Sequence, residues 1–408
     1  MSFKRPSLLV SSLLIAVAAC TTPPSQPPSQ PSPPPPAQPA TPVPPVAPAV
    51  PQPAELLQPR SFAPLPGWQR DDLRQAWPAF MTSCQVLASQ PDWREPCSVG
   101  RDVDAADARA VRTFFEAFFQ PYQLFNQDGT DSGLVTGYYE PLLRGARKRG
   151  GPFQTPLYRV PDDLLTVELG SLYPQLEGMR LRGRLVGNKV VPYFPRAELE
   201  KSGALTGKEL LWVDDPVEAF FLQVQGSGRV RLADGAETVR VAYADQNGHP
   251  YQSIGRYLVE RGELKLEQAS AQGIKAWAAA NPARRQELLD VNPSYVFFRE
   301  EKIVDPARGP KGALGVPLTP QRSIAVDTRF VPPGAPVFLA TTQPNSERPL
   351  QRLMLAQDTG GAIKGAVRAD FFWGFGAAAG EQAGRMKQRG QMWVLWPKGA
   401  VPPRPRPN

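Results

Sequence analysis

From Leu134 to Pro397 the chain is cut into short apolar or alternating runs by Gly, Pro and Asp, and this punctuation constrains the fold more than any other feature. The runs are LVTGYYEPLL, NKVVPYF, LLWVDD, AFFLQVQG, GRVRLAD, ETVRVAYA, PSYVFFRE, SIAVDTRFV, PVFLAT, RLMLAQD and MWVLWP. Each is brief and rich in β-branched or aromatic residues, as strands are. Many such strands at close spacing predict a mainly β protein of β-barrel type with a few helices. Helices are expected over 107–119, where Val111, Phe114, Phe115 and Phe118 share a face, over 253–260, and over 269–280 extending toward Leu289. No long internal repeat is expected.

The N-terminus points to export. Lys4 and Arg5 precede an apolar run over 8–19 that is too short to span a bilayer comfortably, the plan of a secretory leader. It ends Val17-Ala18-Ala19-Cys20, which resembles the lipobox of bacterial lipoproteins, where the leader (here 1–19) is cut before a lipid-carrying cysteine. An ordinary signal peptide bordering a cysteine is the alternative. Thr21 rather than Asp follows, so similarity to such lipoproteins favours the outer membrane, with the chain facing the periplasm. The segment over 20–60 is dominated by Pro, Ala, Gln and Val and holds much of the 49-residue proline total. It cannot bury a core and is biased to polyproline II, so ~35 residues at ~3 Å each reach on the order of 100 Å. A plain spacer reads equally well. In an oxidising compartment Cys84 and Cys97 suit a disulfide whose closure removes ~3 kcal/mol of unfolded-chain entropy; two buried thiols are the alternative.

Composition excludes much enzyme chemistry. The single histidine, His249, sits in the turn-like QNGHPYQ, so no multi-histidine zinc site exists and any Ser-His-Asp triad would have to use it. No Walker loop or dinucleotide fingerprint is present, and Gly-Ser-Gly in QGSGRVR is too weak a signal for phosphate binding. The net charge of +8 is spread out, which argues against nucleic acid and for an anionic polymer or membrane surface. Arg147, Lys148 and Arg149 form the one dense basic cluster, and a solvated loop explains it. Carboxylate chemistry survives by elimination.

The run AQDTGGAIKGAVRADFFWGFG over 356–376 holds two aspartates among glycines and aromatics. An acid that donates a proton near neutral pH needs its charged form destabilised, and Phe371, Phe372, Trp373 and Phe375 are expected to wall Asp370 with apolar surface. The bland alternative is a strand end with Asp370 as a solvated turn residue. Thr136, Tyr138 and Tyr139 offer hydroxyls and aromatic faces for a ligand. Gln223, Gln225 and Ser227 alternate along FLQVQGS, so on a strand they would share one face, either toward a ligand or toward solvent. Gly360 and Gly361 permit close backbone approach or simply a turn, and Lys364 beside them is a further binding candidate.

Several motifs together resemble the membrane-bound lytic murein transglycosylase A family. They are LVTGYYEPLLRG, QTPLYRVP, FFLQVQGSGRV, NGHPYQSIGRYLVERGEL, NPSYVFF, GVPLTPQRSIAVDTRFVPPGAPVF and LMLAQDTGGAIKGAVRADFFWGFG, in the family's order from about Leu134 to Lys398. The resemblance implies a double-psi β-barrel built from 61–140 plus 290–400, with a three-aspartate part over about 313–397. It also implies an inserted β-rich glycan-binding domain over 141–289, glycan lying in the groove between them. The family's catalytic aspartate falls on Asp370, and Asp327 and Asp358 match the other two acids of the motif. The link from GAIKG to Asp370 is slightly longer than in some relatives, so Asp358 is the fallback. Asp327 is the acid most readily given to turn capping. Like charge from Asp327 or Asp358 would raise the Asp370 pKa, and Lys364 would oppose this if it approached.

The implied function is a peptidoglycan lytic exotransglycosylase that needs no metal or organic cofactor. Its implied partners are murein glycan strands, the outer membrane through Cys20, and cell-wall synthesis proteins. One acid suffices if the muramyl 6-hydroxyl attacks C1 itself, since the nucleophile is then already attached. A noncatalytic murein-binding lipoprotein and a hydrolase using a second carboxylate, with Asp358 the candidate, are the alternatives.

Overall fold

The computed structural model describes residues 56–404 apart from 177, 178, 180, 234 and 236. The leader, Cys20 and the Pro-rich segment as far as residue 55 lie outside the described residues. The described chain opens with β1 (Leu57–Pro59), α1 (Trp77–Leu87), α2 (Pro91–Val99), α3 (Ala108–Phe118), β2 (Phe119–Leu124) and β3 (Gly133–Glu140). Then come β4 (Leu142–Ala146), β5 (Thr155–Tyr158), β6 (Leu165–Thr166), β7 (Arg182–Val186), β8 (Lys189–Pro192), α4 (Arg196–Leu199) and β9 (Glu209–Val213). They are followed by α5 (Pro216–Gln225), β10 (Ser227–Leu232), β11 (Thr238–Gln246), α6 (Ile254–Glu260), α7 (Ala271–Ala280), α8 (Arg285–Asp290) and β12 (Val296–Lys302). The chain closes with β13 (Ser323–Val326), β14 (Pro336–Thr342), β15 (Pro349–Asp358), β16 (Ala369–Phe375), α9 (Gly376–Arg385) and β17 (Lys387–Pro397).

The protein is mainly β with a few helices, as its punctuation predicts. One sheet runs β1-β2-β17-β14-β15-β13-β16-β3, and a further β17–β3 pairing closes a ring of strands. The long β17 makes this closure possible: Lys387–Gly390 pairs with β3 and Trp393–Pro397 with β2, while Gln391–Val394 pairs with β14. Most pairs are antiparallel; β13 with β15 and β16 with β3 are parallel. A second sheet runs β12-β11-β10-β4-β9-β5, and β6-β7-β8 form a third. Because β12 pairs with β11, the return of the chain to the first sheet comes after Lys302.

The ring strands and α1–α3 share one core, in which Trp77, Phe80, Phe114, Phe115 and Phe119 pack largely edge to face. Each fully buried aromatic contributes roughly 2–3 kcal/mol of transfer free energy. The Cys84–Cys97 disulfide ties α1 to α2 beneath this cluster.

Two sequence expectations are corrected. AFFLQVQG is not a strand: Asp215 accepts from the Val217 and Glu218 N–H groups, Pro216 fills the first helical position, and Gly226 ends α5 at φ 79°. Those caps outweigh the local β pattern, and Val217, Phe220, Phe221 and Leu222 bury at helical spacing. The helix expected from 269 toward Leu289 stops at Ala280, because Pro282 cannot continue it; α8 resumes from Arg285.

The two larger sheets meet at a buried ion cluster. Glu140, at the end of β3, accepts from Nε of Arg229 on β10 at 2.8 Å and from Arg240 on β11. Both arginines also donate to the Arg308 carbonyl, and Arg229 stacks 3.9 Å from the Phe375 ring. Removing one partner of such a cluster strands a buried charge, at about 3–5 kcal/mol.

Candidate active site

Asp370 lies near the start of β16, opposite Thr136 on β3 and Ala325 on β13. Side chains alternate along a strand, so Asp370 shares a face with Phe372 and not with Phe371 or Trp373. Phe371 and Trp373 are in the ring core, 4.7 Å apart, and Phe375 goes to Arg229 beyond an irregularity in the β16–β3 register. The expected wall of four aromatics is therefore corrected to Phe372 and Tyr138, whose rings lie 5.2 Å apart on the acid's side. Gly309 lets a loop press onto this pair: a Cβ there would come within 2.8 Å of the Phe372 ring.

Burial in this setting raises the Asp370 pKa to about 6; a hydrogen bond from Thr136 and the charge of Arg368 pull it down, and Asp358 adds a smaller push upward. Thr136 Oγ1 donates to Asp370 Oδ1 at 2.6 Å, and Arg368 Nη2 donates to the same Thr136 oxygen at 2.8 Å. Asp370 as a residue is half-buried, with its carboxyl deeply set. Burial, rather than like charge, is the dominant cause, and the opposing cation is Arg368 rather than Lys364, which is exposed.

Asp358 ends β15. It and Asp370 both register against Ala325, on opposite sides of β13, which puts two strand spacings, about 10 Å, between their Cα atoms. The Asp358 oxygens take hydrogen bonds from Tyr138 Oη at 3.0 Å and from the Ala313 N–H at 2.9 Å. Burial and the two nearby carboxylates drive the Tyr138 hydroxyl pKa well up, which keeps it a donor.

Asp327 behaves differently. Burial pushes its pKa up, but Arg329, the Gly365 N–H and the Arg329 N–H more than offset this and hold it below the usual carboxylate range. Arg329 grips it at 2.7 and 3.0 Å. Asp327 caps the turn after β13 and binds the GAIKG loop through Gly365, whose φ of 118° suits glycine.

Of the binding candidates, Thr136 and Tyr138 stand beside Asp370 and Asp358. The Tyr139 ring instead packs on α9, where a Cβ at Gly380 would fall 2.7 Å from it. Gln223 is buried and accepts from Arg196, Gln225 accepts from the Tyr139 N–H, and the buried Ser227 donates to the Val241 carbonyl. These three therefore do not share a strand face; they fasten α5 and β10 internally. Gly360 and Gly361 form the turn after β15 with Gly361 exposed, and Arg147 is paired with Glu300 and Glu237. Sequence reasoning missed Arg368 and the Ala313 N–H. The closeness of Arg368 to Asp370 in sequence, two residues apart, was the available signal for the former.

Comparison with known proteins adds the family context. The model of the MltA specific insert domain matches residues 134–299, and that of the 3D domain matches residues 322–396. The membrane-bound lytic murein transglycosylase A of Escherichia coli strain K12 is 35% identical over 297 residues, 71% of this chain and 72% of the relative. A crystal structure of MltA from Neisseria gonorrhoeae, in a monoclinic form, is 39% identical with a TM-score of 0.74, covering 86% of this chain and 94% of that one. E. coli MltA with bound chitohexaose is 29% identical with a TM-score of 0.62, covering 80% and 90%.

Proposed function

The chain belongs to the membrane-bound lytic murein transglycosylase A family, and on that premise we propose that it cleaves the β-1,4 bond between N-acetylmuramic acid and N-acetylglucosamine in peptidoglycan, leaving 1,6-anhydromuramic ends. The observation that carries this reading is Asp370, a half-buried residue whose carboxyl pKa is raised by desolvation to about 6 beside Thr136 and Tyr138. The chitohexaose bound by the E. coli relative supports a glycan substrate.

In this mechanism Asp370 gives its proton to the glycosidic oxygen as the C1–O4 bond breaks and positive charge builds at C1. The muramyl O6 then forms the bond to C1 and passes its proton to the Asp370 carboxylate, which regenerates the acid. No water is consumed. A hydrolase would need a second carboxylate to activate water or attack C1. Asp358 is poorly suited to that task, because each of its oxygens already accepts from the protein.

The same proposal covers the finer architecture. The closed ring supports a double-psi β-barrel, with the second and third sheets as an inserted glycan-binding domain and Asp370 facing the groove. Strand pairing supports ending that insert after Lys302 rather than at 289. Lipid on Cys20 and the Pro-rich tether would hold the enzyme at the outer membrane; among the described residues no helix is long and apolar enough to cross a membrane.

Mass spectrometry of sacculi digested by the full chain tests the reaction. The expected products are anhydro ends, one water lighter than hydrolysed ends, and none from Asp370→Asn. Products with free reducing ends alone, or an active Asp370→Asn variant, would refute it.

A further inference from the structure

Arg368 is tied into the site from one side only. Its Nη1 donates to the Leu134 carbonyl at 3.3 Å and to the Ala369 carbonyl, and its Nη2 donates to Thr136 Oγ1 at 2.8 Å. A guanidinium has no acceptor, so the Thr136 oxygen must receive this bond. The hydroxyl has one proton to give, and the acceptor facing it at 2.6 Å is Asp370 Oδ1. Arg368 occupies one of the two lone pairs on that oxygen, which favours the order Arg368 to Thr136 to Asp370 over a bond run back from a protonated Oδ1. An Oδ1 that already accepts from Thr136 cannot also point a proton at it, so a neutral Asp370 must carry its proton on Oδ2. No hydrogen bond from the described residues reaches Oδ2.

We propose that Arg368 is a positioning residue which, through Thr136, fixes the acidic proton of Asp370 on Oδ2 and so aims it at the incoming glycosidic oxygen. The inference rests on Asp370 being the acid. Without Arg368 the Thr136 hydroxyl is free to rotate and accept from Asp370 Oδ1, and the proton then divides between two oxygens, one of which faces the protein. The charged and titratable groups around Asp370 are Arg368 from the segment just before its strand, Asp358 from β15 and the Tyr138 hydroxyl from β3. Arg368 is the cation among them, and it favours the ionised form.

The test uses pH–rate profiles of the full chain on purified glycan strands, comparing wild type with Arg368→Met and Arg368→Lys. Methionine keeps an unbranched stem but neither charge nor donors, whereas lysine keeps both. In Arg368→Met, kcat should fall by about 10-fold or more with KM within about threefold, as expected when an acid is misaimed rather than a substrate lost. Its alkaline limb in kcat/KM should move up by about half a unit or more, because the cation that favours the carboxylate is gone. Arg368→Lys should lie nearer wild type in both respects. Thr136→Val should reproduce the kcat loss and Thr136→Ser should restore it, which keeps the test open if the methionine variant folds poorly. An unmoved limb with wild-type kcat, or methionine and lysine variants that behave alike, would overturn the inference. An active Asp370→Asn variant would instead overturn the assignment of the acid itself, and the two failures are therefore separate.

Discussion

Asp327 and Asp370 sit at neighbouring strand ends in the same ring, and burial pushes both toward the neutral form, Asp370 the more strongly. At Asp327 a directly bonded Arg329 and backbone N–H groups outweigh that push, and the carboxylate becomes a fixed brace for the GAIKG loop. At Asp370 the cation stands one hydroxyl away and a single donor touches the carboxyl, so burial prevails. What separates the structural carboxylate from the proposed proton donor here is the number of donors in direct contact together with the heavier desolvation around Asp370.

The sharpest break of this contrast is Asp370→Asn, which should lower kcat by about 10³-fold while leaving binding to glycan strands intact, read by turnover and by cosedimentation with sacculi. The same variant should be more stable than wild type at pH 7.5, by up to about 3 kcal/mol in urea unfolding. The sign follows from a raised folded pKa: the favourable contribution of the neutral acid is complete below the unfolded value of 3.8 and is lost as pH rises through about 6. The two proteins should therefore converge near pH 4; a gap that persists there would contradict the account.

Asp327→Asn should act in the opposite sense. It leaves Arg329 and the Gly365 N–H with a weaker partner and should cost about 2 kcal/mol at pH 7, with kcat per folded molecule within about threefold of wild type. Its folded pKa is lowered, so wild type keeps this advantage above 3.8 and loses it as pH falls through the lower folded value. Equal urea midpoints at pH 7 would show that the brace is idle. The smallest effect is expected for Asp358→Asn. Losing that negative charge should move the alkaline limb of kcat/KM slightly down, opposite in direction to Arg368→Met.

Much of the fold was legible because strand runs carry a period of two and end at Gly, Pro or Asp. The helices were harder for separate physical reasons. For α5 the caps at Asp215 and Gly226 decided against a β-like interior. For α9, the three glycines of GAAAGEQAGR weaken an otherwise helix-forming run but let it pack closely on β3: a Cβ at Gly137 would fall 2.9 Å from the Ala383 Cα, and Gly380 admits the Tyr139 ring. Small residues are a contact requirement there, which only the folded chain reveals. In the site, Asp370 stood out because its motif and aromatic flank are contiguous. Which aromatics wall it depends on strand face, and Arg368 looks like any surface charge until β3 brings Thr136 to it.

The central claim is that Asp370 stays largely protonated in the folded protein up to about pH 6, and its own titration tests this most directly. Carboxyl ¹³C chemical shifts of the full chain, followed against pH and assigned with Asp370→Asn, should give a midpoint near 6 for this residue. A midpoint at or below 4, where ordinary aspartates titrate, would contradict the account.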